Sequence, residues 1–198
     1  ICKEQKGQEI VIMRIISGTA RGRRLKTLEG MDVRPTTEKV KEAIFSSIQF
    51  DLPQATVLDL FAGSGQLGLE ALSRGAKHAY LIDHSSKAMA VIRENIDATG
   101  FTAKAEVIQT EAAAFLKCLS SSVQFDLVFL DPPYRHDTIQ EMLVLLEHHV
   151  AADGKIICEH ERELDLPDTI SVWQKKKSHS YGSIAVTTYI YKEEVTQN

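Results

Sequence analysis

The sequence predicts an α/β domain with a mostly parallel sheet that helices cover on both faces. From Thr56 to Glu159, apolar strand patterns alternate with helical patterns. The strand patterns are almost continuously apolar, as in Phe125–Leu130, which is typical of parallel strands buried on both faces. No helical pattern separates the last two strand patterns, so they are expected to form an antiparallel hairpin. These observations together predict five parallel strands followed by an antiparallel hairpin.

Five strand patterns form the predicted parallel part of the sheet. They are expected at Val57–Phe61, His78–Ile82, Ala105–Ile108, Phe125–Leu130 and Lys155–Glu159. The helices between them are expected at Leu67–Ser73, Ser86–Thr99, Ala112–Leu119 and Thr138–Val150. The closing hairpin is expected at Ser171–Lys177 and Ser183–Tyr191, around a Ser-Tyr-Gly turn.

A basic β-hairpin is predicted ahead of this alternating region, at about residues 13–30. Two short strand patterns, Arg14–Ser17 and Arg23–Thr27, flank the turn-prone segment Gly18–Gly22. A helix is expected next, with Pro35 near its first turn and apolar residues at helical spacing. Those residues are Val40, Ala43, Ile44 and Ile48.

Length and composition predict a single domain of ordinary soluble type at residues 13–198. Residues 1–12 precede Met13, and we interpret them as a disordered upstream extension outside the domain. The apolar runs are too short to cross a bilayer, and the polar start lacks a signal-peptide stretch, so we expect a cytoplasmic protein. Three separated cysteines are typical of reduced thiols, and no cysteine and histidine spacing indicates a metal site.

Positive charge is concentrated near the N-terminus. Between Arg14 and Lys41, eight Lys and Arg residues stand against three Asp and Glu residues, whereas the whole chain has a net charge of −4. Such asymmetry favours a local anion-binding surface. A solvated face without a ligand remains the alternative from charge alone.

A glycine-rich loop stands between the first predicted strand and the first helix after it. Gly63, Gly65 and Gly68 form a G-x-G-x-x-G pattern, in which glycines permit a tight turn and close approach to a ligand. Asp83 lies 20 positions after Gly63 at the end of the second strand, where a carboxylate can accept ribose hydroxyls. His84 beside it is a further candidate contact. NAD and S-adenosylmethionine both fit this pattern.

A second motif favours methyl transfer over hydride transfer. Asp131, Pro132, Pro133 and Tyr134 follow the fourth strand, at the sheet edge where ligands of open α/β sheets bind. The Asp131 carboxylate and the Pro132 carbonyl can accept both hydrogens of a base amino group, which directs the nitrogen lone pair at a methyl donor. Tyr134 can stack on the base. The motif therefore predicts methylation of an exocyclic amine.

Four segments in this order resemble one family. They are Met13–Gly18, Arg34-Pro35-Thr36, Asp59–Gly65 and Asp131–Tyr134. The chain resembles the RsmD family of bacterial enzymes, which methylate the N2 amino group of a guanine in 16S ribosomal RNA of the small subunit. The resemblance extends from about Met13 to Tyr191, and the N-terminal hairpin and the Arg-Pro-Thr segment are its family-specific parts.

The resemblance implies a class I S-adenosylmethionine-dependent methyltransferase fold, a Rossmann-like domain with a seven-stranded, mostly parallel sheet whose last strand is antiparallel. It implies S-adenosylmethionine as cofactor and S-adenosylhomocysteine as product. With the loop pattern, it gives as cofactor-binding candidates Asp59, Phe61, Ala62, Gly63, Ser64, Gly65, Gly68, Asp83, His84, Glu111 and Ala112. The catalytic candidates are Asp131, Pro132, Pro133 and Tyr134. The RNA-binding candidates are Arg14, Arg21, Arg23, Arg24, Arg34 and Arg135.

Other functions stay open at this point. DNA adenine-N6 methylation is the main alternative, since the Asp-Pro-Pro-Tyr motif suits any aromatic amine, although the chain has no room for a separate target-recognition domain. An NAD-dependent oxidoreductase lacks an evident acid–base pair, and a non-catalytic nucleotide-binding module leaves the motif unexplained. We expect a monomer whose substrate is ribosomal RNA within a partly or fully assembled small subunit, with no membrane partner.

Overall fold

The computed structural model describes residues 13–28, 38–133 and 137–192. These residues form one sheet with helices on both of its faces. The strands are β1 (Thr56–Asp59), β2 (His78–Asp83), β3 (Ala105–Gln109), β4 (Phe125–Leu130), β5 (Val150–Glu161), β6 (Thr169–Ile170), β7 (Trp173–Tyr181) and β8 (Ile184–Tyr191). The helices are α1 (Glu38–Ser47), α2 (Gln66–Ser73), α3 (Ser86–Thr99), α4 (Ala112–Cys118) and α5 (Thr138–Leu145).

The sheet has the strand order β3-β2-β1-β4-β5-β8-β7-β6. Strands β1 to β5 are parallel, and β8 pairs antiparallel with β5 on one side and with β7 on the other. The predicted mostly parallel sheet with a closing antiparallel hairpin is therefore confirmed. The predicted count of seven strands is wrong, because β6 adds an eighth at the edge. A strand of two residues is too short to show an alternating pattern in the sequence.

Alternating residues of the strands face two separate apolar cores. On one face, Val57 and Phe129 pack with residues of α1, α2 and α3. On the other face, their neighbours Leu58 and Val128 pack with residues of α4 and α5. This arrangement explains why the central strands are apolar at every position. Within the described residues, no helix has the length and apolar character needed to span a membrane.

The predicted N-terminal hairpin is present, but its regular strand pairing is short. Arg14 and Arg24 form a single antiparallel bridge. The N–H of Ile15 donates to the Arg23 carbonyl at 2.9 Å, and the N–H of Leu25 donates to the Met13 carbonyl at 2.8 Å. Ile15, Leu25 and Met13 are buried in the same core as α1, α2 and α3. The hairpin is thus packed into the domain rather than projecting from it.

Several sequence-predicted features lie outside the described residues. These are the extension at residues 1–12, the Arg34-Pro35-Thr36 segment, Tyr134 and Arg135.

Candidate cofactor and amino-group site

The glycine loop connects β1 to α2 through two residues in the left-handed backbone region. Gly63 has φ 54° and Gly65 has φ 79°, and both conformations favour glycine because it has no Cβ. Gly65 is also the N-cap residue of α2, and its N–H donates to the Ala62 carbonyl at 2.6 Å. The loop is therefore a tight turn at the carboxyl end of β1, in which Gly63 is half-buried and Gly65 is buried.

The third glycine of the pattern lies inside α2 and faces the sheet. A Cβ at Gly68 would lie 2.2 Å from Cδ2 of Leu81 in β2. The N–H of Gly68 donates to Oδ2 of Asp59 at 3.2 Å. Gly68 therefore allows the helix to approach the strand closely, and it orients the carboxyl group of Asp59 below the loop.

Asp59 is a buried carboxyl group, with 1% of its surface exposed. Its pKa is raised to about 7, mainly by burial and also by the nearby charges of Asp131 and Asp83, while the hydrogen bond from the Gly68 N–H opposes this shift. Among the described residues, Oδ1 of Asp59 has no hydrogen-bond partner. One carboxyl oxygen of Asp59 is thus buried without a hydrogen bond from the described residues.

Asp83, at the end of β2, contacts the glycine loop directly. Its Oδ2 accepts a hydrogen bond from the N–H of Gly63 at 2.9 Å, and its Oδ1 accepts one from the N–H of Ser85 at 2.8 Å. The side chain of His84 is largely exposed, with Nδ1 3.6 Å from Oδ1 of Asp83. The structure therefore brings Asp83 and the loop together, as the spacing predicts.

Glu111 and Ala112 stand beside Asp83 at the start of α4. The N–H of Thr110 donates to the Asp83 carbonyl at 3.1 Å, which connects the two strand ends. Glu111 is the N-cap residue of α4 and its side chain is exposed, whereas Ala112 is buried. An acidic side chain and a small one are thus available at this corner of the site.

The Asp-Pro-Pro segment leaves the sheet next to the glycine loop. Asp59 of β1 pairs with Phe129 of β4, so Asp131 lies two residues beyond that register position. Asp131 and Pro132 are half-buried, and Pro133 is exposed. Desolvation of the Asp131 carboxyl group raises its pKa to about 7. The Asp-Pro-Pro segment and the glycine loop therefore follow neighbouring strands at the same edge of the sheet.

The basic side chains of the hairpin are exposed on the domain surface. Arg14, Arg21, Arg23 and Arg24 all lie on this surface. Arg14 forms a bidentate ion pair with Glu38 of α1, with Nε–Oε1 and Nη2–Oε2 distances of 2.8 and 3.1 Å. Arg14 therefore also connects the hairpin to α1, in addition to presenting positive charge to solvent.

A buried ion cluster fixes the hairpin to α1 and α2, and the sequence patterns did not predict it. Glu70 of α2 is fully buried and accepts hydrogen bonds from the N–H groups of Ile16 and Ser17 at 2.8 and 3.0 Å. Nζ of the buried Lys41 lies 3.5 Å from Oε2 of Glu70, and Nε of Arg74 lies 2.8 Å from its Oε1. The sequence feature that could have indicated this cluster is the charge of Glu70 within the largely apolar pattern of α2.

The family model described as Conserved hypothetical protein 95 matches residues 13–190. A Bacillus subtilis protein provisionally named rRNA methyltransferase YlbH is 39% identical over 180 residues, which cover 89% of this chain and 98% of that protein. Ribosomal RNA small subunit methyltransferase D of Escherichia coli is 36% identical over 179 residues, which cover 89% of each chain.

Solved structures of methyltransferase-like and hypothetical proteins are also similar to this chain. The Escherichia coli protein provisionally named methyltransferase YhhF superposes with a TM-score of 0.80 at 36% identity, covering 91% of this chain and 98% of that chain. A hypothetical protein of Thermus thermophilus superposes with a TM-score of 0.78 at 29% identity, covering 91% and 100%. The predicted class I methyltransferase fold is confirmed. The chain therefore belongs to the RsmD family, the family that its motifs resemble.

Proposed function

We propose that this chain transfers a methyl group from S-adenosylmethionine to the N2 amino group of a guanine in 16S ribosomal RNA. Family membership and the names of the relatives support ribosomal RNA methylation. One observation carries the chemistry: Asp131 and Pro132 follow β4 directly beside the glycine loop that follows β1. A methyl donor in the loop and an amine at Asp131 would therefore meet at one edge of the sheet.

The described residues fit S-adenosylmethionine. When bound, this cofactor supplies an electrophilic methyl group on a positively charged sulfur and leaves as S-adenosylhomocysteine. The carboxyl groups of Asp59, Asp83 and Asp131 lie close enough for their charges to interact, which favours a cationic ligand. Phe61–Gly65 would hold the methionine portion, Asp83 the ribose, and Glu111 with Ala112 the adenine.

The amine would be oriented by two acceptors of the Asp-Pro-Pro-Tyr segment. The ionised carboxylate of Asp131 and the carbonyl of Pro132 accept the two N–H groups of the guanine amine. Held in this way, the amine would direct its lone pair out of the base plane toward the methyl carbon, and the N–C bond would form as the donor's sulfur–carbon bond breaks. The surplus amine proton leaves to Asp131 or to water. Tyr134 would stack on the base.

The exposed hairpin is the proposed RNA contact. Arg21, Arg23 and Arg24 are exposed cations that can meet phosphates, and Arg14 is also exposed beside them. Arg34 and Arg135 complete the proposed contact set. We propose that the protein acts as a cytoplasmic monomer on a partly or fully assembled small subunit, whose shape supplies specificity that so small a domain lacks.

The test is transfer of labelled methyl groups from S-adenosylmethionine to small ribosomal subunits from cells that lack this gene. We expect the label in N2-methylguanine, and we expect Asp131→Ala to abolish it. Asp153→Ala is the matched control, because Asp153 is an exposed residue near the opposite end of the β4–β5 pair. A wild-type protein that labels duplex DNA but neither subunits nor naked ribosomal RNA would contradict the proposal.

A further inference from the structure

The central residue of the glycine loop is held from two sides by contacts outside the loop. Ser64 has 8% of its surface exposed and stands between Gly63 and Gly65. Its Oγ donates a hydrogen bond to Sδ of Met13, in the first arm of the hairpin, at 3.3 Å. Its carbonyl accepts a hydrogen bond from Nδ2 of Asn95, in α3, at 2.8 Å. The loop therefore depends on distant segments for its position.

Asn95 also binds the second arm of the hairpin. Its Oδ1 accepts a hydrogen bond from the N–H of Lys26 at 2.7 Å, and its Nδ2 donates one to the Lys26 carbonyl at 3.0 Å. With the bond to Ser64, both amide hydrogens and the amide oxygen are used. Only a side-chain amide supplies two donors and an acceptor at this site, since aspartate has no donor and leucine has neither group. The side chain is 1% exposed.

We propose that Asn95 is a positioning residue that sets the cofactor loop according to the position of the hairpin. The inference rests on the proposed function, in which the loop holds S-adenosylmethionine and the hairpin meets RNA. Flanking glycines give the loop little stiffness of its own, because a residue without Cβ has more backbone conformations available. A shift of Lys26 would move Asn95, and Asn95 would move the Ser64 carbonyl.

Other contacts also hold the hairpin against the domain without touching the glycine loop. They make it possible to distinguish a positioning role of Asn95 from a purely structural one. At the far end of α2, Oγ of Ser73 donates to the Ser17 carbonyl at 2.6 Å and accepts from the N–H of Ala20 at 3.0 Å. Ser73 is as buried as Asn95, with 1% exposed, but its hydrogen bonds join the hairpin to α2 and not to the glycine loop. Ser73→Ala is therefore a matched control that weakens the docking of the hairpin.

The first experiment measures binding of S-adenosylhomocysteine by titration calorimetry, with melting temperatures as a check of folding. We expect Asn95→Asp and Asn95→Ala to raise the Kd at least tenfold, and to raise the KM for S-adenosylmethionine more than they change kcat. Ser73→Ala should lower the melting temperature but leave the Kd within twofold. Folded Asn95 variants with wild-type affinity, or an equally weakened affinity in Ser73→Ala, would overturn the inference.

A second measurement uses the wild-type protein, and it decides the question if the Asn95 variants do not fold. Hydrogen exchange is followed with and without S-adenosylhomocysteine. We expect the cofactor product to slow exchange of the Lys26 N–H at least threefold, but not that of the Thr19 N–H, which donates to the Ser73 carbonyl at 2.8 Å. Equal protection at Lys26 in both states overturns the inference. Failure of the wild-type protein to bind S-adenosylhomocysteine contradicts the proposed function instead.

Discussion

The carboxylate of Asp83 accepts a hydrogen bond from the backbone N–H of Gly63 at 2.9 Å, so the side chain proposed to contact the ribose also holds the glycine loop in place. Its second oxygen is occupied by the N–H of Ser85 at 2.8 Å. Asp83 is therefore pre-oriented by the backbone before any ligand binds, which lowers the entropic cost of binding.

Replacement of Asp83 by asparagine should weaken cofactor binding. The amide retains one acceptor oxygen, but it loses the negative charge and turns an NH2 group toward backbone N–H donors. Hydrogen bonds to charged groups contribute about 1.5–3 kcal/mol each, so we expect Asp83→Asn to raise the Kd of S-adenosylhomocysteine about tenfold to hundredfold. Titration calorimetry checks this, with Asp153→Asn as the exposed control. An unchanged Kd would remove Asp83 from the site.

Methyl transfer should depend on pH through Asp131. Desolvation raises its pKa to about 7, and only the ionised carboxylate can accept a hydrogen bond from the amine without presenting an O–H of its own. We expect kcat/KM to rise as the pH is raised through about 7, the pKa of this group, measured by methyl incorporation into small subunits.

Two variants identify the group responsible for this pH dependence. Asp131→Asn should lower activity about a hundredfold and flatten the profile, because no carboxyl group remains to titrate. Asp59→Asn removes a neighbouring negative charge, so it should keep the rise but shift it to lower pH. A rise that persists unshifted in Asp131→Asn would assign the titration to another group.

The buried cluster around Glu70 should be sensitive to the removal of one charge. Glu70→Gln leaves Lys41 buried beside a neutral amide, and removal of one partner of a buried ion pair typically costs about 3–5 kcal/mol. We expect a decrease of this size in the free energy of unfolding, measured by urea denaturation. Glu70→Gln combined with Lys41→Met should recover part of it, because the second change removes the unpaired charge.

Gly18 and Gly22 offer a matched pair of substitutions in the hairpin. Both have positive φ, 86° and 82°, so alanine costs roughly 1–2 kcal/mol of backbone strain at either position. A Cβ at Gly18 would also lie 1.8 Å from the Ser73 carbonyl oxygen, whereas a Cβ at Gly22 meets nothing within 4 Å. We expect Gly18→Ala to destabilise the domain well beyond Gly22→Ala and to speed exchange of the Thr19 N–H. Equal effects would mean that the hairpin is free to move.

RNA affinity should depend on the exposed hairpin cations. Arg23→Ala combined with Arg24→Ala should weaken binding of small subunits and reduce the slope of log K against log salt by about 0.7–0.9 for each phosphate that is no longer neutralised. Lys104→Ala with Lys117→Ala is a control that removes two exposed cations elsewhere. Unchanged affinity and slope in the arginine variant would show that RNA does not contact this face.

Local signals in the sequence were sufficient for much of the fold. The bounds of α3 are those predicted, since Ser85 caps its first turn and Gly100, with φ 79°, ends it. Strand β4 also has its predicted bounds. In contrast, β5 begins at Val150 rather than Lys155, because the Ala-Ala-Asp-Gly segment between them consists of residues that are uncommon in strands. Helix α5 ends at Leu145 rather than Val150.

The candidate site was also predictable only in part. The proximity of Asp83 to Gly63 follows from a spacing that belongs to the strand–loop–helix unit, and the structure contains it. The roles of Glu70 and Asn95 in holding the hairpin could not be predicted, because their partners in the hairpin lie 53 to 69 positions away in the chain. Contacts of that separation depend on how the helices pack, which a linear pattern does not contain.

The long sequence separation between the hairpin and its partners in α2 and α3 has a consequence for folding during synthesis. The hairpin precedes these helices in the chain, yet Ile16 must find Glu70 and Lys26 must find Asn95. During synthesis, the basic segment therefore leaves the ribosome well before the helices that anchor it. Closure of such long loops is slow compared with local helix formation. The arginines of the hairpin thus remain unanchored until α2 and α3 have been synthesised, and folding of the domain is what fixes them in place.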